Sequence, residues 1–255
     1  MCAGFVSRVS VGVLISVGAL SAAGPTLADQ TASQLQLQLQ RGDTEQKFAG
    51  YISADASAVE DGTFAEVVAT LALNGDIGKT GWLVSERLQR NTYSYSNGVT
   101  EIDAEVYTPI ALLGYQFLFG ERYNLIAAYA GVTHSRINLS PSALTTDFST
   151  TALQLQAEVS LSLGDLGSIS GDGVFVDNKD QYYTSSRLNI RWSEDFYIGP
   201  EVAMHGSDEY GAKQAGLFGW WRITDYMSLG VQAGYVRYEI GTESIYGGLG
   251  IGFGI

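Results

Sequence analysis

The chain has 255 residues, with 27 Asp and Glu against 14 Lys and Arg, a formal net charge of −13 and a single Cys. So acidic a balance excludes a basic nucleic-acid footprint and disfavours docking on anionic lipid, which needs Lys and Arg. Cys2 has no partner for a disulfide, and beyond residue 28 no segment approaches the ~18 uninterrupted apolar residues of a spanning helix.

Residues 1–28 read as a secretory signal: Arg8 supplies the positive region, Val9 to Leu20 an apolar run too short to span, and Thr26-Leu27-Ala28 a small-residue cleavage site. Removing Arg8 with this segment takes the charge from −13 to −14. An exported, acidic chain rich in Gly (31) and Tyr (15) and poor in Pro (4) leaves two classes, a soluble β-domain or an outer-membrane barrel. Residues 29–46, with QLQLQLQ at 34–40, read as a periplasmic extension.

From residue 47 onward, strand-like runs recur at steady intervals between turn signals. The reading is twelve: 47–56, 63–73, 80–91, 107–118, 123–134, 150–163, 168–176, 182–192, 196–205, 212–223, 228–239 and 244–255. The clearest is Thr151 to Leu163, TALQLQAEVSLSL, where Leu153, Leu155, Ala157, Val159, Leu161 and Leu163 alternate with Gln154, Gln156, Glu158, Ser160 and Ser162. Successive side chains of an extended chain face opposite ways, so this strand has one apolar and one polar face. Its length suits a tilted bilayer crossing, apolar toward lipid and polar toward a lumen.

The connections 74–78, 120–122, 164–167 and 193–195 are tight, whereas 92–106 and 135–149 read as long polar loops. An even strand count with long loops on the outer side only is the pattern of an outer-membrane barrel. Trp82, Trp192, Trp220 and Trp221 all fall at strand ends beside inner turns, as an aromatic girdle would, with Phe117, Phe119, Phe196 and Tyr226. The expected fold is therefore all-β, an antiparallel, up-and-down transmembrane barrel of about twelve strands over 47–255.

If Trp192 pairs with Phe196, Arg187 faces Glu201 and Tyr183 faces His205 on the lumen side. If Leu73 lies opposite Thr80, Glu66 faces Arg87. Such pairs read first as cross-strand support in a wet interior, each contributing roughly 0.2–1 kcal/mol, and second as a polar track for a hydrophilic solute. Inward Tyr51, Tyr129, Tyr183 and Tyr197 could stack on sugar rings or simply fill space. Glu86 shares the lipid face with Trp82, Val84 and Leu88; either a bulge re-phases the strand or the carboxylate meets a protein partner. His134 beside Ser135, and His205 before Gly206-Ser207-Asp208, are the only footholds for a barrel hydrolase. Gly171-Asp172-Gly173 is no phosphate loop, since no helix follows it. No cofactor, metal or catalytic site is read.

Several segments together resemble the BcsS family of cellulose biosynthesis proteins: Leu71 to Gly81 (LALNGDIGKTG), Leu112 to Phe117 (LLGYQF) and above all Tyr197 to Ala212 (YIGPEVAMHGSDEYGA), with Ala215 to Phe218 and Ala233 to Tyr235. The resemblance covers roughly 48–255. It implies an outer-membrane barrel accessory to cellulose synthesis or secretion, a conduit for the glucan or an anchor for the export machinery. The implied partners are secretion components or the glucan chain, with outer-membrane lipid around the wall and no nucleic acid. It transfers no catalytic residue; the matched Pro200, Glu201, Asp208 and Tyr210 are candidates for a structural or partner role. The alternatives are a lipid A-modifying or proteolytic barrel enzyme using His134 or His205, and a general porin for small solutes.

Overall fold

The computed structural model describes residues 48–60, 62–96, 100–120, 124–141, 147–178, 180–208, 210–239 and 241–255. The expected signal at 1–28 and extension at 29–46 lie outside them. Twelve strands follow in order: β1 (Gly50–Val59), β2 (Gly62–Ala72), β3 (Gly81–Ser96), β4 (Glu101–Phe119), β5 (Asn124–Ser140), β6 (Phe148–Ser162), β7 (Gly167–Val176), β8 (Gln181–Arg191), β9 (Phe196–Ser207), β10 (Tyr210–Thr224), β11 (Met227–Tyr238) and β12 (Glu243–Gly254). Each pairs antiparallel with the next, and β12 returns to β1 from Tyr51 opposite Gly254 to Ala58 opposite Gly247, closing the barrel.

All twelve expected strands are present. Closure also meets the demand that lipid makes on backbone polar groups, because a closed sheet leaves no unpaired edge. Alternation sets the two surfaces. In β6 Leu153, Leu155 and Leu161 are exposed to the outside while Gln154, Gln156, Glu158 and Ser160 are buried inside. In β12 Ile245 and Leu249 point out and Tyr246 points in.

Three expectations are corrected. The stretches 92–106 and 135–149 are not long loops, because β3, β4 and β5 run on to Ser96, from Glu101 and to Ser140. These extensions bury their own apolar cluster of Tyr93, Ile102, Ala104, Val106, Ile137 and Leu139 on the inner side. The signal is visible in Glu101 to Val106, EIDAEV, whose polar and apolar residues alternate. Without those loops, the contrast in connection length that supported the sidedness disappears.

The second correction concerns Trp220. Trp82, Trp192 and Trp221 are 53%, 77% and 55% exposed on the outer surface, but Trp220 is 3% exposed and points inward. Adjacent residues of one strand face opposite ways, so Trp220 and Trp221 cannot both join an outer girdle.

The third is the register of β2 and β3. Glu66 lies opposite Gln89, and Arg87 opposite Val68. The ladder closes with Leu73 N–H donating to Trp82 O at 2.9 Å, two residues away from the expected Thr80. The difference arises because the turn from Asn74 to Thr80 folds back into the barrel mouth. Ile77 N–H donates to Phe48 O at 2.8 Å, and Gln116 Nε2 donates to Ile77 O at 2.8 Å and Lys79 O at 2.6 Å. A slip of two residues preserves the faces and changes every partner.

Candidate functional site in the barrel interior

A twelve-strand wall encloses more room than an eight-strand one, whose interior side chains just fill. What the wall sends inward therefore decides what the barrel can do. At the end of the barrel that carries Gly50 and Gly254, a continuous apolar cluster joins Phe48, Tyr51, Val68, Ile77, Leu83, Leu112, Tyr129 and Trp220. Trp220 comes from β10 and Tyr129 from β5, so the cluster spans the interior rather than lining one side. Burial of Ile77 from the folded-in turn makes this end a hydrophobic cap.

Large rings fit here because glycines face them. A Cβ on Gly114 would overlap the Tyr129 ring, and one on Gly230 would overlap the Trp220 ring. Tyr246 lies in the same way over Gly216 and Gly234. A strand glycine that admits a close approach from its neighbour is an established use of the residue.

Next to the cap is a buried polar layer. Arg87 from β3 reaches Glu158 of β6, with Nη2 and Oε1 3.9 Å apart and each side chain 1% exposed. The strands β4 and β5 lie between them in the wall, so this ion pair crosses the interior as a chord. Gln156 Nε2 donates to Glu158 Oε1 at 2.7 Å. Glu66, buried, accepts from Gln89 Nε2 at 2.9 Å instead of meeting Arg87. Thr70 donates to Ser85 at 2.9 Å, and Ser185 donates to Asp172.

A second polar group centres on Arg187. It lies opposite Glu201, as the sequence pairing has it, and Tyr183 lies opposite His205. Arg187 Nε and Nη2 meet Glu201 Oε2 at 2.9 and 2.7 Å, and Nη2 also donates to Gln232 Oε1 at 3.0 Å. Tyr246 OH donates to Glu201 Oε1 at 2.6 Å, and the guanidinium stands 4.6 Å from the Phe218 ring centroid. One side chain on β8 thus ties together residues of β9, β10, β11 and, through Glu201, β12. Charge-assisted bonds of this kind are the strong ones, and a buried guanidinium needs several of them.

The structure places the candidate residues unequally. Tyr51, Tyr129 and Tyr183 are inward and buried, while Tyr197 is partly buried and packs against the apolar cap. His205 is 2% exposed inside the barrel, whereas His134 is exposed on the outer surface, its Nδ1 2.8 Å from Thr151 Oγ1. The two imidazoles stand on opposite faces of the wall and share no site. Sequence reasoning missed Glu158, Gln232 and Tyr246 as partners. Alternation already put Glu158 inside, but its partner is three strands away and nothing local in the chain points to it.

A closed antiparallel barrel with an apolar outer surface and a polar interior is the architecture of an outer-membrane β-barrel protein. The translocator domain of the autotransporter NalP from Neisseria meningitidis superposes with a TM-score of 0.54 at 12% identity, covering 89% of this chain and 94% of that one. The β domain of the Bordetella autotransporter BrkA gives 0.53 at 10% identity over 82% and 100%, and the KdgM porin in complex with disordered oligogalacturonate 0.52 at 10% over 80% and 99%. At such identities the likeness is one of fold. No curated protein is significantly similar in sequence. The family is settled separately: the profile of the cellulose biosynthesis protein BcsS matches residues 47–254, and the chain belongs to that family.

Proposed function

We propose that the barrel serves cellulose biosynthesis from the outer membrane as an anchor for the export machinery, not as an open tube for the glucan and not as an enzyme. One observation carries this reading. The apolar cap spans the interior, with Tyr51, Val68, Leu83 and Leu125 fully enclosed, and beside it the inward polar side chains around the ring, Arg87 and Glu158 on one arc and Arg187, Glu201 and Gln232 on another, are buried too. A glucan would have to displace both. Inward Tyr51 and Tyr129 then act as packing within the cap, Tyr183 and Tyr197 as filling of the wall, and Glu66, Arg87, Arg187 and Glu201 as the polar glue of a filled barrel. The proposed route to the membrane is export with cleavage after Ala28, which leaves residues 29–46 on the periplasmic side.

The test is a clean deletion, with surface and periplasmic cellulose assayed separately, complemented by the intact chain or by Arg87→Met/Glu158→Leu. The double variant keeps the interior filled but removes its polar chord. An anchor restores surface cellulose in both forms. Rescue by the intact chain alone, with periplasmic glucan accumulating beside the double variant, would favour passage through the lumen. Unchanged cellulose in the deletion would sink both versions.

A further inference from the structure

Glu86 stands in the middle of the outer surface of β3. Pairing runs without offset from Gly62–Tyr93 to Ala72–Leu83 on one side and from Gly81–Gln116 to Ser96–Glu101 on the other. No bulge re-phases the strand, so the carboxylate does face outward, and it is exposed. Trp82 toward one rim and Arg90 toward the other are each four residues away, about 13 Å along an extended strand. Arg90 is bound to Glu105 at 2.7 Å. Among the described residues none forms a hydrogen bond or ion pair with Glu86. Its cross-strand neighbours are Ala69 and Ala111. On the outward face the carboxylate has only methyl groups directly across the ladder, with Val84 and Leu88 along β3 and Val67, Leu71, Pro109 and Leu113 on the diagonals. Among the described residues nothing covers it, and hydrocarbon solvates it poorly.

We infer that the β2–β4 outer face is a docking surface for a protein partner that presents a Lys or Arg at mid-membrane depth, with Glu86 as its counter-charge. Charge complementarity selects this occupant over a second copy of the chain. The cations that face outward from the strands among the described residues, Arg90, Arg136, Lys213 and Arg237, lie toward the rim away from Gly50 and Gly254, while Lys79 and Arg191 are exposed at the opposite rim. A second copy inserted the same way holds them at the wrong depth. The small residues across the ladder let the partner's side chain approach closely, so that the pair forms out of contact with lipid. This deepens the anchor reading and takes its setting from it, yet the two fail separately, because one is read by cellulose and the other by a covalent adduct.

The experiment places a photo-crosslinking amino acid at Ala69, Ala111 or, as control, Leu217 on β10, in the full chain in its native outer membrane. Folding of each variant is verified by heat-modifiable gel migration. The expected result is one discrete protein adduct from Ala69 and Ala111, absent from Leu217 and at least tenfold weaker with Glu86→Lys or Glu86→Leu. Changing the Lys or Arg found at the adduct site to Glu should restore the adduct of Glu86→Lys. An adduct to a second copy or to lipid alone overturns the inference, as does an adduct indifferent to both substitutions, a failure of charge reversal, or no adduct at all.

Discussion

Replacing Arg187 with Met should leave Glu201 as a buried carboxylate whose remaining described partner is the Tyr246 hydroxyl. The lost contacts are two to Glu201, one to Gln232 and the stacking on Phe218. Breaking a buried pair from one side costs about 3–5 kcal/mol, because the orphaned charge stays behind in a low-dielectric site. At 1.4 kcal/mol per decade this is roughly a hundredfold to several-thousandfold in the folding equilibrium. The assay is reversible urea unfolding of the barrel in phospholipid vesicles, followed by tryptophan fluorescence. The companion Arg187→Met/Glu201→Leu removes both charges and should recover most of the loss, since a filled apolar pair in place of a buried ion pair is often near neutral. A single variant within about 1 kcal/mol of the parent, or a double variant no milder than the single, would refute the placement of Arg187 as a buried hub.

Trp220→Ala should cost about 3–5 kcal/mol as a large-to-small change in a packed interior, and Trp221→Ala clearly less. Brominated lipid should quench the emission of Trp82, Trp192 and Trp221 and spare that of Trp220, which single-Trp variants will read directly. Gly114→Val should destabilise by about 1–3 kcal/mol through collision with Tyr129, and Tyr129→Ala in the same chain should relieve part of it. In planar bilayers the parent barrel should conduct ions poorly. Arg87→Ala together with Ile77→Ala should raise conductance several-fold by opening both the chord and the cap; equal conductance would mean that they do not close the interior.

Strand number and facing were legible in the chain because a period of two is a local property. TALQLQAEVSLSL shows its two faces without reference to any other segment, and the Arg187–Glu201 pairing followed from a hairpin whose tight turn sets the register. Where the connection is longer, legibility ends. The loop from Asn74 to Thr80 takes its shape from Phe48 and Gln116, residues outside its own hairpin, and it shifts Glu66 away from Arg87. Assigning Trp220 to the girdle weighted position along the strand above parity, although parity was readable at Trp220-Trp221. The chord between Arg87 and Glu158 depends on how the barrel closes, which is global information. Glu86 is the opposite case, a local violation of pattern that the regular ladder leaves in place.

A bare ring of sheet flattens easily into an ellipse, and a strut across an arc resists that. Arg87 to Glu158 braces the arc from β3 to β6, and the contacts of Arg187 and Tyr246 brace the arc from β8 to β12. Between the ends of these arcs runs the β12–β1 join, where the inward positions of β12 beyond Tyr246 are Gly248, Gly250 and Gly252. β12 contributes no inward side chain to that join beyond Tyr246, and what fills its inner side comes from β1, where Tyr51, Ser53 and Asp55 are buried. Squeezed by a changing bilayer, the tube will yield there first, and the stiff β8–β12 panel will move as one piece.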